Sequence, residues 1–89
     1  MKPNKDLIMR KVAGEVVLIP TGKMAQEYNG MITMNPVAVF IWENIEKTEN
    51  IDQMVDMIMN EFEIDREKAL NDTYGFVKTM VENGFIVNE

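Results

Sequence analysis

The chain has 89 residues, 46% of them hydrophobic, and a formal net charge of −6. That length supports one domain with a small core, and the composition excludes a disordered chain. It has no cysteine and no histidine, which excludes disulfides, thiolate nucleophiles, iron–sulfur ligation, the usual zinc sites and the side chain best suited to proton transfer near neutrality. The charge is uneven. Residues 1–30 carry five Lys/Arg and three acids, whereas residues 31–89 carry four Lys/Arg and twelve acids, a net of −8. An acidic body of this kind disfavours a phosphate backbone as ligand. Nine methionines supply adaptable, gap-filling side chains, for a core or for a binding surface.

Residues 1–6 are polar and are expected to fray. Leu7 to Val12 reads as a first strand, Ala13-Gly14 as a turn, and Glu15 to Ile19 as a β-branched second strand stopped by Pro20. Thr21-Gly22-Lys23 is a turn or loop, and Met24 to Tyr28 fits either extended chain or a loose loop. Asn29-Gly30 is a turn signal, and Met31 to Met34 a short third strand. Its alternation puts Met31 and Thr33 on one face and Ile32 and Met34 on the other, without saying which face is the core.

Asn35-Pro36 switches the chain to helix. Asn35 can accept orphan N–H groups, and Pro36 at the first helical position loses no hydrogen bond. Val37, Phe40, Ile41 and Ile45 lie on one side, flanked by Ala38 and Trp42. Asn50 and Gln53 have capping-box spacing ahead of a second helix with Met54, Val55, Ile58, Met59 and Phe62 on its inner face. Asp65 caps a third helix whose inner face is Ala69, Leu70, Thr73, Phe76, Val77, Met80 and Val81, with Tyr74 at its edge. Asn83-Gly84 ends it, one of the two left-handed. Phe85-Ile86-Val87 is an apolar tail that can tuck under the sheet or add a brief extended segment. The expected fold is α+β, a three-stranded antiparallel sheet followed by three helices in one domain over 1–89.

The segments VAGEVVLIP (12–20), MNPVAVFIW (34–42) and IDQMVDMIMNEFEIDREKALNDTYGFVKTMVENGFI (51–86), in this order and spacing, resemble the small PqqD-like proteins. The resemblance covers nearly the whole chain. It implies a winged helix-turn-helix-like fold and a non-catalytic role. Such a protein binds the leader segment of a ribosomally made precursor peptide and presents it to a modifying enzyme, in the founding case a radical S-adenosylmethionine enzyme. The leader is expected to add a strand in a groove between the third strand and the third helix. Carried onto this chain, the strand is Gly30, Met31, Ile32, Thr33 and Met34. The helix wall is Leu70, Thr73, Tyr74, Val77, Lys78 and Val81. The quinone-pathway members usually have Leu-Asn before the first helix and Asp-Gly after it. Here Met34-Asn35 and Ile45-Glu46-Lys47 stand instead, so a different peptide pathway is expected.

The residues alone fit that reading. A short strand with one unpaired edge can accept an extended peptide. Tyr74 and Lys78 share a helical face, offering apolar area and a cation for a peptide carboxylate. Arg10 and Lys11 are candidates to touch a partner enzyme. An enzyme is disfavoured: Asp52 and Asp56 are spaced as surface acids, Glu61, Glu63 and Asp65 lack a calcium-loop pattern, and GEVVLIPTGK lacks phosphate-loop spacing. No cofactor is expected. A winged-helix DNA-binding regulator is the competing reading, opposed by the nearly neutral start of the third helix (Asp65-Arg66-Glu67-Lys68). No membrane span and no secretory signal are expected, a cytoplasmic setting is, and a homodimer through strand edges is open.

Overall fold

Ala13 and Gly14 both have positive φ, 53° and 84°, the pair of left-handed residues that a two-residue type I′ hairpin demands. They join two six-residue strands in the computed structural model, which describes residues 1–87. In chain order the elements are β1 (Lys2–Pro3), β2 (Leu7–Val12), β3 (Glu15–Pro20), α1 (Gly22–Glu27), β4 (Ile32–Met34), α2 (Pro36–Asn44), a 3-10 turn (Ile45–Lys47), α3 (Ile51–Phe62), α4 (Arg66–Glu82) and β5 (Ile86–Val87). The main sheet is antiparallel with order β2-β3-β4, and β1 pairs with β5 in a separate two-stranded ladder. This is the expected fold with two additions.

The first addition is α1. Of the stretch 24–28, read as extended chain or loop, residues 24–27 are instead the body of a short helix that buries Met24, and Tyr28 is extended at its C-cap. Gly22 starts it with φ of 53°. The second is the β1–β5 ladder, which corrects the expectation of a frayed start. Lys2 lies opposite Val87 and Pro3 opposite Ile86. The Asn4 amide N–H donates to the Phe85 carbonyl at 2.8 Å, and the Asn4 side chain donates to the Gly84 carbonyl at 2.9 Å. The Asp6 carbonyl accepts from both the amide and the hydroxyl of Thr21. Polar composition hid these long-range bonds, because each partner lies some eighty residues or one hairpin away.

The helix caps form as their residue types dictate. Asn35 Oδ1 accepts from the Ala38 amide at 2.8 Å, and Asp65 Oδ1 from the Lys68 amide at 2.8 Å. Asn50 Oδ1 accepts from the Gln53 amide, while Gln53 Oε1 reaches one residue further back, to the Glu49 amide. At the end of α4 the Phe85 amide donates to the Met80 carbonyl and the Gly84 amide to the Val81 carbonyl. Gly84, at φ 77°, is the left-handed residue of this Schellman closure.

One core joins the sheet to the helices. Leu7 and Leu18 of the sheet and Met34 pack with Ile41 and Trp42 of α2, Ile45, Met54, Val55 and Ile58 of α3, and Ala69, Val77 and Met80 of α4. Thr73 lies in the same layer, fully buried, with a hydroxyl that makes no hydrogen bond. Among the described residues no helix is long and apolar enough to cross a membrane.

Two stability outcomes follow. Valine matches threonine in shape and removes the unpaired hydroxyl, so Thr73→Val is expected to hold or raise stability, by about 1 kcal/mol at most. A loss above about 1 kcal/mol in urea unfolding would reveal a partner for that hydroxyl. Asn35→Ala deletes the cap of α2 and is expected to cost about 1 kcal/mol in the same measurement.

Candidate functional site

The hairpin turn fixes which backbone groups reach the far edge of the sheet. A two-residue turn makes its flanking pair, Val12 and Glu15, a hydrogen-bonded pair. Bonded and non-bonded pairs alternate along an antiparallel ladder, and β2 and β3 pair without interruption from Val12↔Glu15 to Leu7↔Pro20. Glu15, Val17 and Ile19 therefore spend their N–H and C=O groups on β2. Val16 and Leu18 turn theirs to β4, where they face Met34 and Ile32. Pro20 falls on a non-bonded pair with β2, so its missing N–H breaks nothing there.

By the same alternation Thr33, opposite Val17, directs its N–H and C=O away from β3. β4 pairs with β3 alone, so among the described residues that edge has no strand on it. Thr33 thus offers one donor and one acceptor to an incoming strand. The side chains resolve the face that the sequence left open. Ile32 and Met34 pack into the core, while Thr33 is exposed. Gly30, at φ 135°, and Met31, 57% exposed, form the approach to the strand.

Directly after β4 the chain enters the lining of a cavity of about 540 Å³. Asn35 and Pro36, directly after β4, form one lip. Val37, Ala38 and Ile41 of α2 form the wall, Phe62 and Ile64 the end, and Lys68, Asp72 and Phe76 of α4 the opposite side. The lining is mostly apolar. The Phe62 ring is held edge-on by Phe40, centroids 5.5 Å apart. At the rim Lys68 Nζ lies 3.1 Å from Asp72 Oδ2, an exposed pair one turn apart of the kind that contributes little to stability. A second depression, of about 710 Å³, runs from the hairpin tip past Thr33 and Met34 to Val39, and meets the first at Asn35 and Pro36.

The helix half of the expected site is distributed differently. Thr73 and Val77 lie in the core beneath α4. Leu70, Tyr74 and Val81 are exposed, at 38%, 55% and 43%, and Lys78 Nζ lies 6.0 Å from the Tyr74 ring centre. None of these six lines the cavity. Leu70, Tyr74 and Lys78 each follow Lys68, Asp72 and Phe76 by two residues, which is about 200° around a helix. They occupy the other shoulder of α4. This also narrows the expected inner face, since the structure buries its Ala69–Thr73–Met80 side and leaves Leu70 and Val81 in solvent. The row Lys68, Asp72, Phe76 is visible in the sequence as an i, i+4, i+8 ladder. What the sequence lacks is which flank of the helix turns toward α2 and the end of β4.

Among the described residues no three His, Cys, Asp or Glu side chains gather as a metal set. The N-terminal turns of α4 present Asp65, Glu67 and Asp72 around a shallow cleft with Lys68 and Asn71.

Comparison with known proteins agrees with this architecture. TbiB1, solved in complex with the TbiA(beta) leader peptide, superposes with a TM-score of 0.74 at 20% identity, covering 100% of this chain and 98% of that one. Lasso peptide synthetase B1, solved with its leader peptide, gives 0.74 at 16% identity, covering 98% and 96%. No curated protein matches the chain in sequence. The sequence model of the family described as Coenzyme PQQ synthesis protein D (PqqD) matches residues 15–86, and the chain belongs to that family.

Proposed function

We propose that the protein binds the leader segment of a ribosomally made precursor peptide by strand addition to β4 and presents that precursor to a modifying enzyme. The observation that carries this reading is the unpaired edge of β4, with the Thr33 backbone directed outward and an apolar cavity lined by Asn35 and Pro36 directly after it. Family membership and the leader-bound state of both similar structures support it.

Magnitudes say what such a site needs. The two strand-pairing hydrogen bonds that Thr33 can make contribute about 1–3 kcal/mol net. Micromolar affinity takes about 8 kcal/mol, and association itself costs several more. Backbone pairing alone therefore falls short. Apolar peptide side chains, each worth about 1.5–3 kcal/mol on burial, have to make up the difference. The cavity bounded by Phe62, Ile64 and Phe76 is where one of them fits. Pairing supplies tolerance of sequence, and the cavity supplies register.

The chain's own contribution to the reaction is proximity: holding the leader raises the local concentration of the segment to be modified. The enzyme that receives it is a radical S-adenosylmethionine enzyme on the strength of the family resemblance. DNA binding is disfavoured by the acids at the start of α4, which sit where a recognition helix would meet phosphate.

The test is a proton–nitrogen NMR titration with a synthetic leader from a precursor encoded beside this gene. Saturable shifts are expected on residues 31–37 and on Lys68, Asp72 and Phe76. Shifts centred on Tyr74 and Lys78 would move the peptide to the other shoulder of α4, and no shifts at all would reject the reading. Thr33→Pro removes the outward N–H without touching the bonds to β3. It is expected to weaken binding by about tenfold or more, while Thr33→Val binds as the parent does. A folded proline variant with full affinity would exclude strand addition at this edge.

A further inference from the structure

The cavity beside α4 opens on opposite sides into two further depressions. One shares Asn35 and Pro36 with it and continues past Met34, Val16 and Val39 to Gly14 and Glu15 at the hairpin tip. The other shares Lys68 and Asp72 and continues to Asp65, Glu67 and Asn71 at the start of α4. The three make one channel, apolar in the middle and charged towards its ends.

Those charges have one sign. Lys68 and Asp72 close on each other at 3.1 Å. The remaining charged residues of the channel are Glu15, Asp65 and Glu67. All three are exposed, and among the described residues none forms an ion pair. Arg10, diagonal to Glu15 across the β2–β3 ladder, makes no ion pair with it. Asp65 and Glu67 also suit a helix N-terminus, whereas Glu15 caps nothing and carries the weight of the argument.

Glu15 is placed to meet a peptide on β4. It stands two residues before Val17, the partner of Thr33, so its side chain shares a sheet face with Thr33. β4 ends at Met34 and α2 starts at Pro36, so among the described residues no strand runs beside Glu15 on that side. The floor between is apolar, formed by Val16, Met34 and Val39. Lysine or arginine fits this combination, with its aliphatic stem on the floor and its charged head at the carboxylate. The net charge of −8 on residues 31–89 favours the same sign of ligand at long range.

We infer that the channel selects a cationic leader: an apolar anchor in the cavity, a lysine or arginine towards Glu15, and a second basic residue towards Asp65 and Glu67. The inference rests on the peptide-binding reading and adds the ligand's charge to it. It reverses the expectation of a peptide carboxylate, which depends on Lys78, a residue outside the cavity lining.

Isothermal titration calorimetry with a synthetic leader from the precursor encoded beside this gene tests this at about 20 mM salt, where surface charge is weakly screened. Glu15→Lys and Glu67→Lys are each expected to weaken binding by about three- to tenfold, and Glu15→Gln by about twofold. Glu82→Lys changes the net charge equally but lies outside the channel, and is expected to have a smaller effect than either. A leader whose Lys and Arg residues are changed to Gln is expected to bind the parent more weakly, and to bind parent and Glu15→Lys alike. Unchanged or tighter binding by a folded Glu15→Lys, or equal weakening by Glu82→Lys, overturns the inference and leaves the peptide-binding reading in place. If the parent itself does not bind, that reading fails first and takes the inference with it. Should Glu15→Lys not fold, full affinity in Glu15→Gln overturns the inference alone.

Discussion

The hydrogen-bond phase set at Ala13-Gly14 reaches across the whole sheet. Because the turn has two residues and both are left-handed, the Val12–Glu15 pair is bonded. The alternation then hands Val16 and Leu18 to β4 and leaves the Thr33 backbone on the outside. The same phase places Pro20 where its missing N–H does no harm to β2. It also couples to the faces of the sheet, since Leu18, Ile32 and Met34 must point inward for the core to close. One residue more or fewer in the turn would exchange the two sets of groups and, with them, the buried and exposed faces. The edge that a peptide can use is therefore determined at the opposite side of the sheet.

The second constraint is the rotation of α4 about its axis. Ala69, Thr73, Val77 and Met80 face the core, and the two ends are fixed by the Asp65 cap and the Schellman closure at Gly84. Arg66 reaches Asp52 and Asp56 on α3 at 3.4 and 2.8 Å. All three side chains are more than half exposed, so the contact orients more than it stabilises. With the axis so held, α4 has two unequal shoulders. One carries Lys68, Asp72 and Phe76 to the cavity behind β4. The other carries Leu70, Tyr74, Lys78 and Val81 into solvent.

Much of this architecture is legible in the sequence. Asn35-Pro36, Asn50–Gln53, Asp65 and Asn83-Gly84 are local signals whose geometry involves residues at most five positions apart, and each forms where it was expected. Of the expected strand Gly30–Met34, Ile32 to Met34 forms, and Gly30 and Met31 stay outside it. What was not readable depends on distant partners. Lys2-Pro3 and Ile86-Val87 say nothing of each other until the ladder brings them together, and Met24 becomes helical by burying its side chain under the sheet. The helix half of the expected site is placed less sharply by sequence for a related reason. A periodic stripe gives the mean direction of a helix face but not its limits. Leu70 and Val81 at its margin are apolar enough to be buried, but the neighbours that would cover them lie elsewhere.

On the peptide-binding reading, the division of labour between edge and cavity has a consequence for specificity. Strand pairing reads backbone, which every peptide has, so it selects for extended, proline-free segments and little else. The Lys68–Asp72 pair at the rim is self-compensating and exposed, so it lends no strong preference for peptide charge. At the cavity that leaves shape: an apolar side chain at the correct distance from the strand to enter between Phe62, Ile64 and Phe76. A site of this kind tolerates wide variation in leader sequence as long as one anchor keeps its spacing. It also needs little area, which suits a chain whose small core leaves no large rigid surface to offer.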